Sequence, residues 1–141
     1  MTDKAYRAKA LLLKYRALDN DISAKQECIQ HWLDSATRAT PSLEAERVSG
    51  TGEHSRLESA MIRKMDAEAV VDRKIDELRE MRKDILNAVD AMDDPNERAM
   101  LQYRYIVGRS WSYIMAKLEI PERTSFRMHD SALMHFGEIF F

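Results

Sequence analysis

The sequence has little cysteine and no long apolar run. Cys28 is the only cysteine among 141 residues, which excludes a disulfide framework and a cysteine-based zinc site and favours a reducing compartment. The longest apolar run near the N-terminus, residues 10–13, is too short to span a membrane, and the N-terminus lacks an apolar signal core. We therefore expect a soluble cytoplasmic protein with no membrane partner.

Neither sign of charge is in clear excess. The chain has 22 Lys and Arg against 24 Asp and Glu, a formal net charge of -2. This balance excludes a histone-like protein that binds nucleic acid through bulk charge alone. Charged residues make up 33% of the chain and apolar residues 45%, a composition typical of a globular or coiled-coil protein rather than a disordered one.

Proline and glycine are also scarce, and their positions divide the chain. Both residues are unfavourable inside helices, so they tend to mark helix boundaries. The uninterrupted stretches between them show no sustained alternation of polar and apolar residues, and we therefore predict an all-α fold. The positions are Pro41, Gly50, Gly52, Pro95, Gly108, Pro121 and Gly137.

Two long stretches carry apolar residues at alternating steps of four and three. This heptad pattern predicts a long antiparallel helical hairpin, a coiled coil, over residues 1–92, with a loop near 39–54. Ser55 and Glu58 form a capping box for the second helix. Trp32 extends the first stripe, and Leu57, Met61 and Met65 precede the second. The candidate oligomerisation residues are Leu11, Tyr15, Leu18, Ile22, Ile29, Val71, Ile75, Leu78 and Ile85. A hairpin that buries only its own seam is the alternative to an oligomer, and a dimer is favoured.

Residues 93–141 predict a small domain of three short helices. Asp94 is placed as an N-cap, Pro95 as the first helical residue and Glu97 as the capping-box glutamate. The first helix ends at Gly108, and Met100, Tyr103, Ile106 and Val107 share one of its faces. Ser110 caps a second helix over 111–118, and a third runs over 122–136 and is closed by Gly137. This arrangement is typical of a helix-turn-helix.

The same residues resemble a known helix-turn-helix family. The segments LQYRYIVGRSWSYIMAKL, from Leu101, and ERTSFRMHDSAL, from Glu122, resemble region four of bacterial sigma factors. They are more similar still to phage regulators of the RinA/ArpU type. The resemblance covers most of the chain and is specific over residues 101–136. It implies control of phage or prophage genes, often late or packaging genes, through DNA binding in a bacterial host. Because 141 residues hold no counterpart of sigma region two, a complete sigma factor is excluded.

Four residues depart from the usual pattern of this motif. Met115 replaces a small alanine and Ser125 replaces a valine or isoleucine, and we hypothesise that the two changes compensate in volume. Glu119 occupies a turn position that often favours glycine, at a cost of about 1 kcal/mol if its φ is positive. Pro121 replaces the frequent serine cap, and proline is compatible with the first turn of a helix.

The outward face of the third helix supplies the candidate base contacts. Ser125, Met128, Ala132 and Leu133 form its inward stripe. Arginine is suited to guanine edges, threonine and phenylalanine to the thymine methyl, and glutamate to cytosine. Residues at the start of the preceding helix are placed for phosphate contacts. The candidate DNA-binding residues are Arg109, Ser110, Glu122, Arg123, Thr124, Phe126, Arg127 and His129.

The sequence therefore predicts a sequence-specific regulator of transcription that binds double-stranded DNA. From Asp94 onward, six Lys and Arg balance six Asp and Glu, so a single copy should bind weakly and a dimer is expected. The alternative is a protein-binding module with a degenerate helix-turn-helix that docks on a host or phage protein such as RNA polymerase. A purely structural coiled coil is a third option. The four histidines are too far apart in sequence for a zinc-helix spacing, and we expect no enzyme activity, cofactor or metal.

Overall fold

The structure is a computed structural model that describes residues 2–44 and 50–141. These residues form five α-helices and one π-helical segment, without a strand, and the all-α prediction is confirmed. None of the helices in the described ranges is long and apolar enough to cross a membrane. The elements are α1 (Asp3–Glu44), α2 (Gly50–Asp90), α3 (Pro95–Leu101), the π segment (Gln102–Val107), α4 (Trp111–Leu118) and α5 (Glu122–Phe140).

The chain divides into two compact units, and both long helices contribute to each. Unit 1 contains residues 1–19 and 78–141, and unit 2 contains residues 20–77. The three short helices of the predicted helix-turn-helix therefore share a unit with the first turns of α1 and the last turns of α2. Its buried side chains come from all these elements and include Leu12, Ile85, Met100, Ile114 and Phe136.

Unit 2 is an antiparallel helical hairpin, as the heptads predict. Asp21 of α1 pairs with Lys74 of α2, and further along α1 Trp32 lines a cavity with Ala60 and Lys64. Residues further along α1 therefore lie beside residues earlier in α2, so the two helices are antiparallel. Ile22, Ile29 and Val71 are buried in unit 2.

Some of the residues that face the neighbouring helix differ from the predicted heptad positions. Trp32 is 46% exposed, and Leu57, Met61 and Met65 are also exposed, whereas Leu33, Ala60, Lys64 and Ala67 are half-buried. Small alanines let the two helices approach closely, and a lysine can bury its alkyl stem while its ammonium stays in water. For this reason the half-buried residues that face the neighbouring helix are less apolar than the exposed stripe.

The predicted oligomerisation residues are covered within a single chain. Their burial follows from the intrachain packing of α1 and α2, so the structure gives them a role inside the protomer, and oligomerisation itself stays a prediction. Leu11, Leu18 and Ile75 are half-buried. The buried members are Tyr15, Ile22, Ile29, Val71, Leu78 and Ile85.

Both long helices extend into the loop that the sequence predicts near residues 39–54. The helical backbone continues through Pro41 to Glu44 and begins again at Gly50, so only part of the predicted loop, residues 45–49, lies outside the described residues. Ser55 is consequently inside α2 and does not begin it. Helix propensity is a weak constraint within a long helix, and Pro41 and Gly52 accordingly lie inside helices rather than at their ends.

The start of α3 confirms one predicted cap and corrects the other. Asp94 Oδ1 accepts a hydrogen bond from the backbone N–H of Asn96 at 2.8 Å. Glu97 does not complete the predicted capping box. Its buried carboxylate instead accepts hydrogen bonds on α5, from Ser131 Oγ at 2.6 Å, and lies 2.7 Å from His135 Nδ1. A buried carboxylate needs polar partners, and α5 supplies them.

The predicted apolar face of this region shifts because α3 continues as a π-helix. The wider i→i+5 turn of the π segment breaks the 3.6-residue period on which the prediction relied. Met100, Leu101 and Tyr105 are buried, whereas Val107 is exposed. Gly108 then ends the helix as predicted, in the left-handed conformation with a φ of 83°.

Arg16 of α1 closes the end of the π segment. Its Nη1 donates hydrogen bonds to the carbonyl oxygens of Tyr105 and Ile106, at 3.4 and 3.3 Å. A Cβ at Gly108 would lie 2.8 Å from the Arg16 guanidinium. Glycine at position 108 is favoured by its positive φ, and a larger residue would also require the Arg16 guanidinium to shift.

Gly137 does not end α5, which continues to Phe140. A Cβ at Gly137 would lie 2.6 Å from the carbonyl oxygen of Lys4, so this residue instead permits α1 and α5 to touch. The C-terminal residues pack within unit 1. Phe140 stacks on Phe136, and the Arg7 guanidinium lies 4.2 Å from the Phe141 ring centroid.

Candidate nucleic-acid interface

Helices α4 and α5 are joined by a three-residue turn, Glu119 to Pro121, as the helix-turn-helix pattern predicts. Ser110 Oγ caps α4 by accepting a hydrogen bond from the Tyr113 N–H at 3.1 Å. Glu119 adopts a φ of 56°, so the condition for the strain considered at this non-glycine residue is met. Pro121 has extended backbone angles and immediately precedes α5 without a side-chain cap.

The inward stripe of α5 lies where the sequence places it. Ser125, Ala132 and Leu133 are buried, and Met128 is half-buried. The buried Ser125 hydroxyl is satisfied because it donates a 2.6 Å hydrogen bond to the Glu122 carbonyl. Met115 lines the same cleft as Ser125, and the proposed volume compensation between them stays a prediction.

The opposite face of α5 carries the predicted arginines. Glu122, Arg123 and Arg127 are exposed, Phe126 is 65% exposed, and Thr124 is half-buried. Among the residues that the structure describes, no carboxylate lies within ion-pair distance of the Arg123 or Arg127 guanidinium. Two exposed cations on the first turns of α5 thus keep their positive charge available to an external anion.

His129 is not turned outward, which corrects its predicted position. Its Nε2 lies 2.7 Å from Tyr105 Oη, and its ring packs against Trp111 in a T-shaped arrangement at a centroid distance of 4.8 Å. The π segment is the physical reason, because it directs Tyr105 towards α5. His129 therefore supports the position of the helix from inside the domain.

Burial sets the protonation state of this pair. It lowers the pKa of His129 to about 4, to which the nearby charges of Lys9 and Arg104 contribute. Burial also raises the pKa of Tyr105 to about 12. At neutral pH the imidazole is uncharged and the phenol keeps its proton, so the hydroxyl can donate to Nε2.

The start of α4 presents a second group of polar residues. Arg109 and Ser110 are exposed, and the Arg109 guanidinium lies 4.8 Å from the Tyr113 ring centroid. Arg104 of the π segment donates a 3.2 Å hydrogen bond to the Arg109 carbonyl and lies over the Trp111 ring. The sequence pattern does not single out Arg104, since its place beside α4 depends on the π-helical turn.

A cleft of about 400 Å³ lies beside α5, within unit 1. Its walls come from α1, the π segment, α4 and α5, and they include Lys9, Leu13, Arg104, Phe126 and Asp130. The contribution of α1 was not predicted from the sequence. The available signal is the spacing of Ala5, Ala8, Leu12 and Tyr15, all buried, which continues the heptad towards the N-terminus.

The described residues contain no group of three His, Cys, Asp or Glu side chains that could hold a metal ion. The comparison with known families matches residues 38–136 to DUF1492, described as a protein of unknown function. This match covers more than half of the chain. The chain belongs to the DUF1492 family. The DUF1492 match includes all of α3 and α4 and most of α5, whereas Lys9 lies before it. No curated protein and no solved structure matches the chain.

Proposed function

We propose that this DUF1492 protein is a sequence-specific DNA-binding regulator of transcription that acts on phage or prophage genes, late or packaging genes among them, in the cytoplasm of a bacterial host. The observation that carries the proposal is the pair Arg123 and Arg127, exposed and without a carboxylate partner in the described residues, on the first turns of the second helix of a helix-turn-helix. The resemblance to phage regulators of the RinA/ArpU type supplies the gene class.

The proposed contacts follow from the exposed chemistry of α5 and α4. Arg123 and Arg127 take guanine edges, Glu122 accepts from a cytosine amino group, and Phe126 and the half-buried Thr124 touch thymine methyl groups. Arg109 and the N-terminus of α4 at Ser110 face backbone phosphates. The proposal involves no catalytic step, cofactor or metal.

Charge makes a dimer part of the proposal. Unit 1 holds 14 Lys and Arg and 12 Asp and Glu, and unit 2 holds 8 and 12. A net charge of +2 on unit 1 gives a single copy little non-specific affinity, and two linked copies on paired half-sites would raise it.

The test is selection of bound sequences from a random duplex library at low salt. We expect the wild type to enrich a motif, an inverted repeat for a symmetric dimer, and Arg123→Ala/Arg127→Ala to enrich none. Arg56→Ala/Arg73→Ala, which removes two guanidinium groups from unit 2, is the matched control and should enrich the wild-type motif. Thermal unfolding of each variant confirms that it is folded. Failure of the folded wild type to enrich any sequence would contradict the proposal.

The second candidate function is docking on a protein such as RNA polymerase. Phe126 is 65% exposed and Leu13 is 49% exposed, and both line the cleft of unit 1, an apolar pair that a protein partner could cover. Purified bacterial RNA polymerase, immobilised and titrated with the wild type and with Phe126→Ser, separates the two functions. Saturable binding that the substitution weakens, together with no enriched DNA motif, would favour docking.

A further inference from the structure

Lys9 of α1 is positioned beside the proposed DNA-reading helix. It lines the same cleft as Phe126 and Asp130 of α5, and its positive charge is close enough to contribute to the lowered pKa of His129. Lys9 lies 113 residues before Glu122, the first residue of α5, and only the assembly of unit 1 brings the two together.

The first turns of α1 are held firmly in this place. Ala5 and Ala8 have no exposed surface, and the absence of a side chain at Gly137 lets α5 approach the Lys4 backbone. Lys4 lies against Gly137 near the end of α5, whereas Lys9 lines the cleft together with Asp130, nearer the start of α5, so α1 follows α5 in the antiparallel direction. The Lys9 stem therefore starts from a fixed backbone position next to α5.

The Lys9 ammonium is available to an anion. Its side chain is exposed, and within residues 2–44 and 50–141 no carboxylate is in ion-pair contact with it. Glu122 and Asp130 line the cleft on the α5 side, and Arg104 lines it from the π segment. Those two carboxylates disfavour a phosphate on the α5 side of the cleft, so the α1 side, where Lys9 lies, is the favourable place for one.

The size of the DNA groove indicates what Lys9 would meet. The major groove is about 12 Å wide and admits one α-helix of about 10–12 Å diameter. When α5 occupies the groove, a helix packed alongside it lies over the groove wall, where the phosphates are. Resting on the proposed function, we infer that Lys9 binds a backbone phosphate, and that the first turns of α1 are part of the DNA-binding surface.

The experiment compares Lys9→Gln, Lys9→Arg and Lys14→Gln in the full chain. Lys14 is an exposed lysine on the same helix, about 140° around its axis from Lys9. The probes are a fluorescent duplex with the motif that the wild type enriches and a scrambled duplex, titrated between about 50 and 200 mM salt. We expect Lys9→Gln to bind both duplexes roughly threefold to tenfold more weakly and to reduce the slope of log K against log salt by about 0.9 per copy.

Two control variants distinguish a phosphate contact of Lys9 from a general effect of substitution. Lys9→Arg should keep the affinity and the salt slope, Lys14→Gln should resemble the wild type, and all three should share its unfolding temperature. If Lys9→Gln and Lys14→Gln have the same affinity and slope, the inference is wrong while the proposed function stands. A change in sequence preference rather than a uniform loss would also overturn it, because phosphate contacts carry no base information. A wild type that binds neither duplex would remove the proposed function and this inference with it.

Discussion

His129 should make the stability of unit 1 depend on pH. Burial lowers its pKa from 6.5 to about 4 in the folded protein, whereas the unfolded chain keeps the higher value. Between these two values the unfolded state binds more protons, so stability is complete above about pH 6.5 and is lost as the pH falls towards 4. The full shift corresponds to about 3 kcal/mol, and because the side chain is only half-buried we expect about 1–2 kcal/mol.

Urea unfolding at several pH values measures this effect. His129→Phe should flatten the acid part of the stability profile, since phenylalanine cannot be protonated.

His135 supplies the opposite case, because its hydrogen bond to Glu97 raises its pKa. The stability that His135 provides is present below pH 6.5 and is lost above its folded pKa, so His135→Gln should change the profile on the alkaline side. An unchanged acid profile in His129→Phe would contradict the assignment.

At the scale of elements, the contact between α1 and α5 depends on Gly137. Alanine has the higher helix propensity, by about 1 kcal/mol, so Gly137→Ala would stabilise an isolated helix. In the folded protein the new Cβ would lie 2.6 Å from the Lys4 carbonyl oxygen, and backbone atoms must move. We expect a net loss of about 1–3 kcal/mol in the free energy of unfolding, measured by urea titration.

An exposed helical site gives the comparison for Gly137→Ala. Ser112 is exposed on α4, and Ser112→Ala should change stability by less than about 0.5 kcal/mol. A Gly137→Ala variant as stable as the wild type would show that α1 can move away from α5 without cost. Lys9 would then no longer be held at a fixed position beside the helix.

Three of the helix ends were predictable because they depend on local chemistry. Asp94, Ser110 and Gly108 perform their predicted roles, and the exposed positions of Arg123 and Arg127 follow from the period of one helix. What could not be predicted depends on distant residues. Glu97 turns to α5 rather than to its own helix end, and the π segment draws His129 inward through Tyr105. The place of Lys9 depends on the pairing of α1 with α5, and the spacing of the buried residues of α1 does not identify that partner helix.

At the scale of the whole molecule, the proposed dimer requires a surface other than the buried seam. In unit 2, Met61 and Met65 are 61% and 65% exposed, and Leu57 and Ile62 are exposed beside them on α2. We predict that a second copy covers this stripe. Met61→Glu/Met65→Glu should then shift the protein towards the monomer in light scattering at tens of micromolar, because burying charge at the contact is costly.

A matched pair of substitutions on the other helix tests the location of this dimer contact. Ala24 and His31 are exposed on α1 within unit 2, and Ala24→Glu/His31→Glu adds the same charge away from the methionines. This control should keep the mass of the wild type. A wild type that is already monomeric at these concentrations would refute the dimer, and an equal effect of both pairs would refute the methionine stripe as its location.

The composition of unit 1 from two separated stretches also has a consequence for synthesis on the ribosome. Residues 1–19 emerge before their partners, which begin at Leu78, beyond the 58 residues of unit 2. Closing a loop of that length costs on the order of 3–4 kcal/mol of entropy, and a hairpin that forms first removes most of the distance. Arg16 can reach the π segment only after Ile106 has left the exit tunnel. Unit 1 is therefore complete in the nascent protein only after α5, its last element, has emerged.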